Sequence, residues 1–147
     1  MGPAATEYGD DKGIFGYGYA APALQNVTNL VSNVGVVATD TSGVGTARKA
    51  LAACGYAYDK GIFAYGDTGS LSSLSNLVSN VGVVATDTVG VGTARSHLGA
   101  CEYGNDKGIF AYGTSTNVSN LVTNVGVIGT DVSGVGANAE KMACSFN

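Results

Sequence analysis

Residues 59–66 read DKGIFAYG, residues 106–113 repeat them without change, and residues 11–18 read DKGIFGYG. A second block, NLVSNVGVVATD, occupies 29–40 and returns intact at 76–87; its third version, at 120–131, reads NLVTNVGVIGTD. Identity of this length three times over is a tandem repeat of about 47 residues, and it decides the fold. One supersecondary unit recurs, and each copy covers its neighbour's apolar face. After every second block comes a Gly-Val-Gly turn, at 43–45, 90–92 and 134–136. The first two copies then continue Thr-Ala-Arg, ending at Arg48 and Arg95, whereas the third carries Ala139 in place of the arginine. The copies run over about 8–55, 56–102 and 103–147 of one repeat domain, 1–147.

Within a copy the pattern predicts four short strands: Leu51–Tyr56, Gly61–Tyr65, Leu77–Thr86, and one near Val91–Arg95. Alternation places Ile62 and Ala64 on one face of the second strand, with Phe63 and Tyr65 on the other. Leu77, Val81, Val83 and Ala85 share one face of the third strand and Val78 and Val84 the opposite one, so each sheet is expected to be covered on both sides. Asp-Lys-Gly ahead of the second strand reads as a tight turn, with glycine supplying backbone freedom. The first-strand element occurs a fourth time at the end of the chain, as Met142–Asn147.

Composition agrees with a β protein. There are 23 glycines, eight tyrosines, two prolines and no tryptophan, and only 12% of residues are charged. The apolar content, 45%, is too high for a disordered linker. A net charge of −4 with seven scattered basic residues supplies no footprint for nucleic acid. No apolar run approaches the length of a membrane-spanning helix, and MGPAATEYGDDKG lacks the pattern of a secretory leader; neither membrane insertion nor a secretory signal is expected. Three cysteines without CxxC spacing argue against a disulfide framework or a zinc site.

The Arg-ended turn, the short apolar strand and the hydrophobic strand closing on glycine, as in GIFAYG, resemble kelch repeats. Two features depart from that pattern: Tyr17-Gly18, Tyr65-Gly66 and Tyr112-Gly113 stand where kelch repeats have a glycine doublet, and the kelch tryptophan is missing. The resemblance implies an all-β fold of three kelch-like four-stranded antiparallel blades of the β-propeller type. Propellers close with four to eight blades, so three imply completion by oligomerisation. A two-chain, six-bladed ring is the favoured form; an open stack or a non-propeller β assembly, including a trimer, is the alternative. The wording NLVSNVGVVATDTSGVGTAR with DKGIFGYG is also similar to tandem units in predicted virion and tail-fibre proteins of marine bacteriophages. That likeness implies a non-enzymatic structural or appendage protein located in the virion. Its partners would be further copies of itself or other virion proteins, with a host surface glycan as a further candidate partner.

The segments between the second and third strands differ from copy to copy, as loops that carry binding do. Candidate contact residues there are Tyr19, Gln25, Asp67, Thr68, Ser70, Thr114, Ser115 and Thr116. A soluble carbohydrate- or protein-binding module is the alternative that these loops suggest. The recurrent Asp11-Lys12, Asp59-Lys60 and Asp106-Lys107 are read as turn-forming and solubilising, and Arg48 and Arg95 as structural ion-pair or carbonyl-binding residues. His97 is the single histidine and has no cluster of carboxylates or thiols near it in sequence, so neither catalysis, a cofactor nor a metal is expected.

Overall fold

The computed structural model describes residues 2–140; the fourth first-strand element at Met142–Asn147 lies outside them. The described chain contains nine strands and no helix: β1 Ala4–Tyr8, β2 Lys12–Ala20, β3 Ala23–Val31, β4 Ala52–Tyr56, β5 Lys60–Asp67, β6 Leu71–Val78, β7 Gly99–Tyr103, β8 Lys107–Ala111 and β9 Ser119–Val122. They form three antiparallel three-stranded sheets in sequence order, β1-β2-β3, β4-β5-β6 and β7-β8-β9. The all-β class is as the sequence predicts. Each sheet takes its first strand from just ahead of the DKGIF block, so the structural units begin at Ala4, Ala52 and Gly99.

The sheets are not four-stranded blades. The strand expected over Leu77–Thr86 ends at Val78, because Ser79–Gly82 turns sharply: the Gly82 amide donates to the Ser79 carbonyl and the Ser79 amide to the Val83 carbonyl. The returning segment pairs its backbone with β6 only at isolated bridges, Val78 to Val84 and Ser75 to Thr88. No strand forms at Val91–Arg95; that stretch serves another purpose, described below. The variable segments are hairpins. β5 runs on to Asp67 and β6 begins at Leu71, so Tyr19, Gln25 and Asp67 stand on strands.

Two motif readings change for physical reasons. Lys60 and Gly61 lie in β5, and the backbone of the turn is bent by Ala57 and Tyr58, at φ 54° and 69°. Gly61 is glycine because a Cβ there would stand 2.5 Å from Thr6 Cγ2 of the preceding sheet, and at Gly108 the equivalent distance to Cys54 Sγ is 2.6 Å. The Tyr-Gly pair closing the motif is a β-bulge. Register slips between Ala64 and Gly66, and Tyr65 has a left-handed φ of 63°. The bulge swings Tyr65 off the Phe63 face and onto the side of Ile62 and Ala64, which contradicts simple alternation.

Stacking follows from these faces. Ile14 and Tyr17 of the first sheet pack on Phe63, Val78 and Val84 of the second. Ile62, Ala64 and Tyr65 of the second pack on Phe110, Val122 and Ile128 of the third. The middle sheet is thus covered on both sides, and Phe63 and Phe110 are fully buried. At about 25 cal/mol per Å² of apolar area, each buried Phe contributes some 2–3 kcal/mol. Among the described residues the three sheets form a row in which each end sheet has one neighbour, and they close no propeller ring.

Candidate functional site

Between successive sheets the segments Thr46–Arg48 and Thr93–Arg95 act as clamps. The Arg48 guanidinium stacks on the Tyr17 ring of its own copy, 4.3 Å from the centroid, and Tyr17 meets Phe63 of the next copy edge to face at 5.2 Å. Arg95 repeats this on Tyr65 at 4.0 Å, with Tyr65 on Phe110 at 5.4 Å. The tyrosine hydroxyls donate to the Val44 and Val91 carbonyls and so tie down the Gly-Val-Gly turns. Burial raises both phenols above their ordinary pKa, which keeps them as donors.

Each clamp closes on an Asn-Asp pair of the following copy. The Thr46 amide and hydroxyl both donate to Asp87, at 2.9 and 2.7 Å, and Arg48 Nη2 donates to Asn76 Oδ1 at 2.6 Å. Arg48 Nη1 lies 3.8 Å from Asp87 Oδ1. Thr93 holds Asp131 in the same way, at 3.1 and 2.6 Å. Arg95 differs in detail, donating through Nε and Nη2 to the Tyr112 and Phe110 carbonyls. The two arginines therefore leave different atoms unpaired, Arg48 Nε in one interface and Asn120 Oδ1 in the other. Hydrogen bonds from Thr93 and Asn120 lower the Asp131 carboxyl below its ordinary pKa despite some burial. For Asp87, burial pushes upward, but Thr46, Asn76 and Arg48 outweigh it and the pKa is also lowered. Desolvation lowers the Arg48 pKa, the electrostatic cost of burying its charge.

The loop candidates gather at the hairpin-tip edge of the stack. Tyr19 projects there with Lys49 Nζ 5.6 Å from its ring, and Lys49 pairs with Asp67 at 3.6 Å. Asp67 also caps the turn by accepting the Gly69 amide, and Thr68 donates to the Ser70 carbonyl. Gln25 donates to the Ala23 carbonyl, within its own hairpin. Thr114 belongs to a second group, donating to Glu140 and lying 3.5 Å from His97 Nδ1. Ser115 accepts from Asn138 through its carbonyl, and the Thr116 hydroxyl accepts the Val118 amide. The structure thus brings Tyr19 and Asp67 together at Lys49 and sets Thr114 beside His97, while Gln25, Thr68, Ser70, Ser115 and Thr116 hydrogen-bond elsewhere in their own copies. Ser96 and Glu140 both approach Nδ1 of His97, at 3.1 and 3.8 Å. A nucleophile–base–acid relay requires opposite ring nitrogens, so this is not one.

At the other end of the strands stand the recurrent Asp-Lys pairs. Asp11–Lys12 and Asp59–Lys60 meet at 2.9 Å, and Asp106 pairs with Lys107. Beside them the Ser/Thr-Asn-Val-Gly-Val turns expose Val34, Val81 and Val125, then Val36, Val83 and Val127, one pair per copy. Two equivalent apolar clefts of about 200 and 210 Å³ open next to this row. One is lined by Leu30, Val44, Val81 and Val83, the other by Leu77, Val91, Val125 and Val127. The valine row escaped the sequence reading because it assigned these residues to a two-sided strand. Their Asn-Val-Gly setting was the available signal for a turn. Among the described residues no group of three or more His, Cys, Asp or Glu could hold a metal ion, and Cys54 and Cys101 are buried.

The chain matches no protein-family model, and no curated protein matches it.

Proposed function

We propose that this chain is a non-enzymatic assembly module, a virion structural or appendage protein that associates through repeat surfaces and displays its hairpin tips. The observation that carries the assembly reading is the row of six exposed valines with its two apolar clefts, recurring copy by copy. Scattered surface aliphatics are ordinary, whereas the same exposed valine pair repeated in every copy, beside apolar clefts, is the character of an association surface. The virion setting is supported by the similarity of NLVSNVGVVATD and DKGIFGYG to phage repeat units. Low charge and a non-basic surface suit packing among protein copies rather than nucleic acid. Fractionation of purified particles tests it: the polypeptide should co-purify with virions, and its consistent absence from them sinks the virion reading.

A second reading is favoured by one observation, the exposed Tyr19 ring beside the Lys49–Asp67 pair. An aromatic face flanked by hydrogen-bonding groups suits a sugar ring, with the hairpin tips as a carbohydrate-binding edge. Reproducible glycan-array binding that Tyr19→Ala abolishes would favour it over pure assembly.

A further inference from the structure

Among the described residues, the first copy carries the acceptor half of the clamp with no donor turn in it. Asn29 Nδ2 donates to Asp40 Oδ1 at 2.8 Å and to the Ala38 carbonyl at 3.2 Å. Asn76 does the same to Asp87 and Ala85 at 2.9 and 3.0 Å, and Asn120 to Asp131 and Gly129, both at 3.0 Å. All three cradles have one geometry. Asp87 and Asp131 are filled by Thr46 and Thr93, while among the described residues Asp40 receives only Asn29.

The apolar surround is equally bare. Phe15 is 42% exposed where Phe63 and Phe110 are 0%, and Val37 is 56% exposed where Val84 and Ile128 are 8% and 7%. A Cβ on Gly82 or Gly126 would strike Leu30 or Leu77 of the preceding copy, whereas one on Gly35 meets nothing within 4 Å.

The opposite end of the stack lacks the matching donor. Ala137 and Ala139 stand where Thr46 and Arg48 stand in the first copy. A third copy therefore cannot offer the hydroxyl or the guanidinium to another chain's first copy.

We propose that the outer face of the first copy, built from Phe15, Asn29, Val37 and Asp40, is a docking site for the Gly-Thr-Ala-Arg turn of a further copy of this repeat outside residues 1–147. The two internal interfaces are its template. The cradle is already ordered, so docking spends little on arranging it. Asp40 supplies the charge complementary to the incoming arginine. The proposal deepens the assembly reading and names a partner for it, but it does not use the valine row, so either can fail alone.

The test restores the missing donor. In the variant Ala137→Thr/Asn138→Ala/Ala139→Arg each chain carries both halves, and sedimentation equilibrium should show head-to-tail oligomers that the parent chain does not form. Adding Asp40→Ala to that variant should weaken the association about a hundred-fold, since removing one partner of a buried pair costs a few kcal/mol. A triple variant that unfolds cooperatively yet keeps the parent's mass overturns the proposal. So does an association that neither Asp40→Ala nor Phe15→Ala changes. A parent dimer abolished by Phe15→Ala would assign the face to a second copy of this chain, against the proposal. Where the triple variant fails to fold, the peptide Gly-Val-Gly-Thr-Ala-Arg is titrated into the parent chain. Shifts of the Asn29 and Asp40 amide resonances, lost with alanine for the peptide's arginine, support docking; none at millimolar peptide overturns it.

Discussion

Equivalent residues in the three copies have different neighbours, and this separates chemistry from context at the residue scale. Asp87 closes on Thr46 and Arg48, whereas Asp40 has the same sequence setting and no clamp. Asp87→Ala strands the buried Arg48 charge and should lower unfolding free energy by about 3 kcal/mol, while Asp40→Ala should change it by less than about 0.5. Urea titrations of the two variants check the contrast. Phe63→Ala should cost about 3–5 kcal/mol and Phe15→Ala under about 1, because only Phe63 lies between two sheets. Acid adds a further check. The folded-state pKa values of Asp87 and Asp131 lie below the ordinary 3.8, so their stabilisation is complete above that value and is lost as pH falls through the folded values. Stability should hold from neutral pH down to about 5 and drop below about pH 4, with Asp87→Asn flattening that drop in denaturant titrations.

The Tyr-Gly bulge matters most among the elements. It turns Tyr17 and Tyr65 toward the next sheet, where each ring sits between an arginine and a phenylalanine. Gly66 follows at φ 109°, and a Cβ there would lie 2.8 Å from the Lys49 carbonyl oxygen. Gly66→Ala therefore meets both a strained backbone and a clash. A loss of about 3 kcal/mol is expected by thermal unfolding, against about 1–2 for Gly69→Ala, whose φ of 107° carries the backbone strain without the clash. The Asp-Lys pairs are a different case. They recur in every copy, yet with each lysine still half in solvent such pairs contribute little, and Lys60→Ala should shift the melting temperature only slightly.

For the whole molecule, the row of sheets behaves as a one-dimensional array in which every interface repeats the last. Its stability comes from two interfaces, one per neighbouring pair. Weakening either should loosen the end sheet it attaches before the middle one, visible as earlier amide exchange in β1–β3 for Arg48→Ala and in β7–β9 for Arg95→Ala. The valine row runs along the array rather than at its ends. Replacing Val34, Val81 and Val125 by lysine should abolish self-association in sedimentation runs while leaving the cooperative unfolding transition in place, since all three are exposed. An unchanged mass distribution in that variant would remove the valine row from the assembly.

The repeat, the all-β class and the first two strands of each unit were legible in the sequence, because strong local identity and period-two alternation are local signals. So was the alteration of the last copy, where Ala139 replaces the arginine. The third strand was read too far, since a valine-rich run looks the same whether it continues or turns. The fourth strand was expected where the chain instead forms the clamp, whose partners lie about 28 to 41 residues away in Asn76 and Asp87. Only tertiary structure decided which face of each sheet meets which neighbour. A bulge reverses the side of Tyr65, and close approach, not turn geometry, explains Gly61. The identical copies are written alike, but burial is a property of neighbours: Phe15 and Phe63 share one motif, and only one of them has a sheet on its far side.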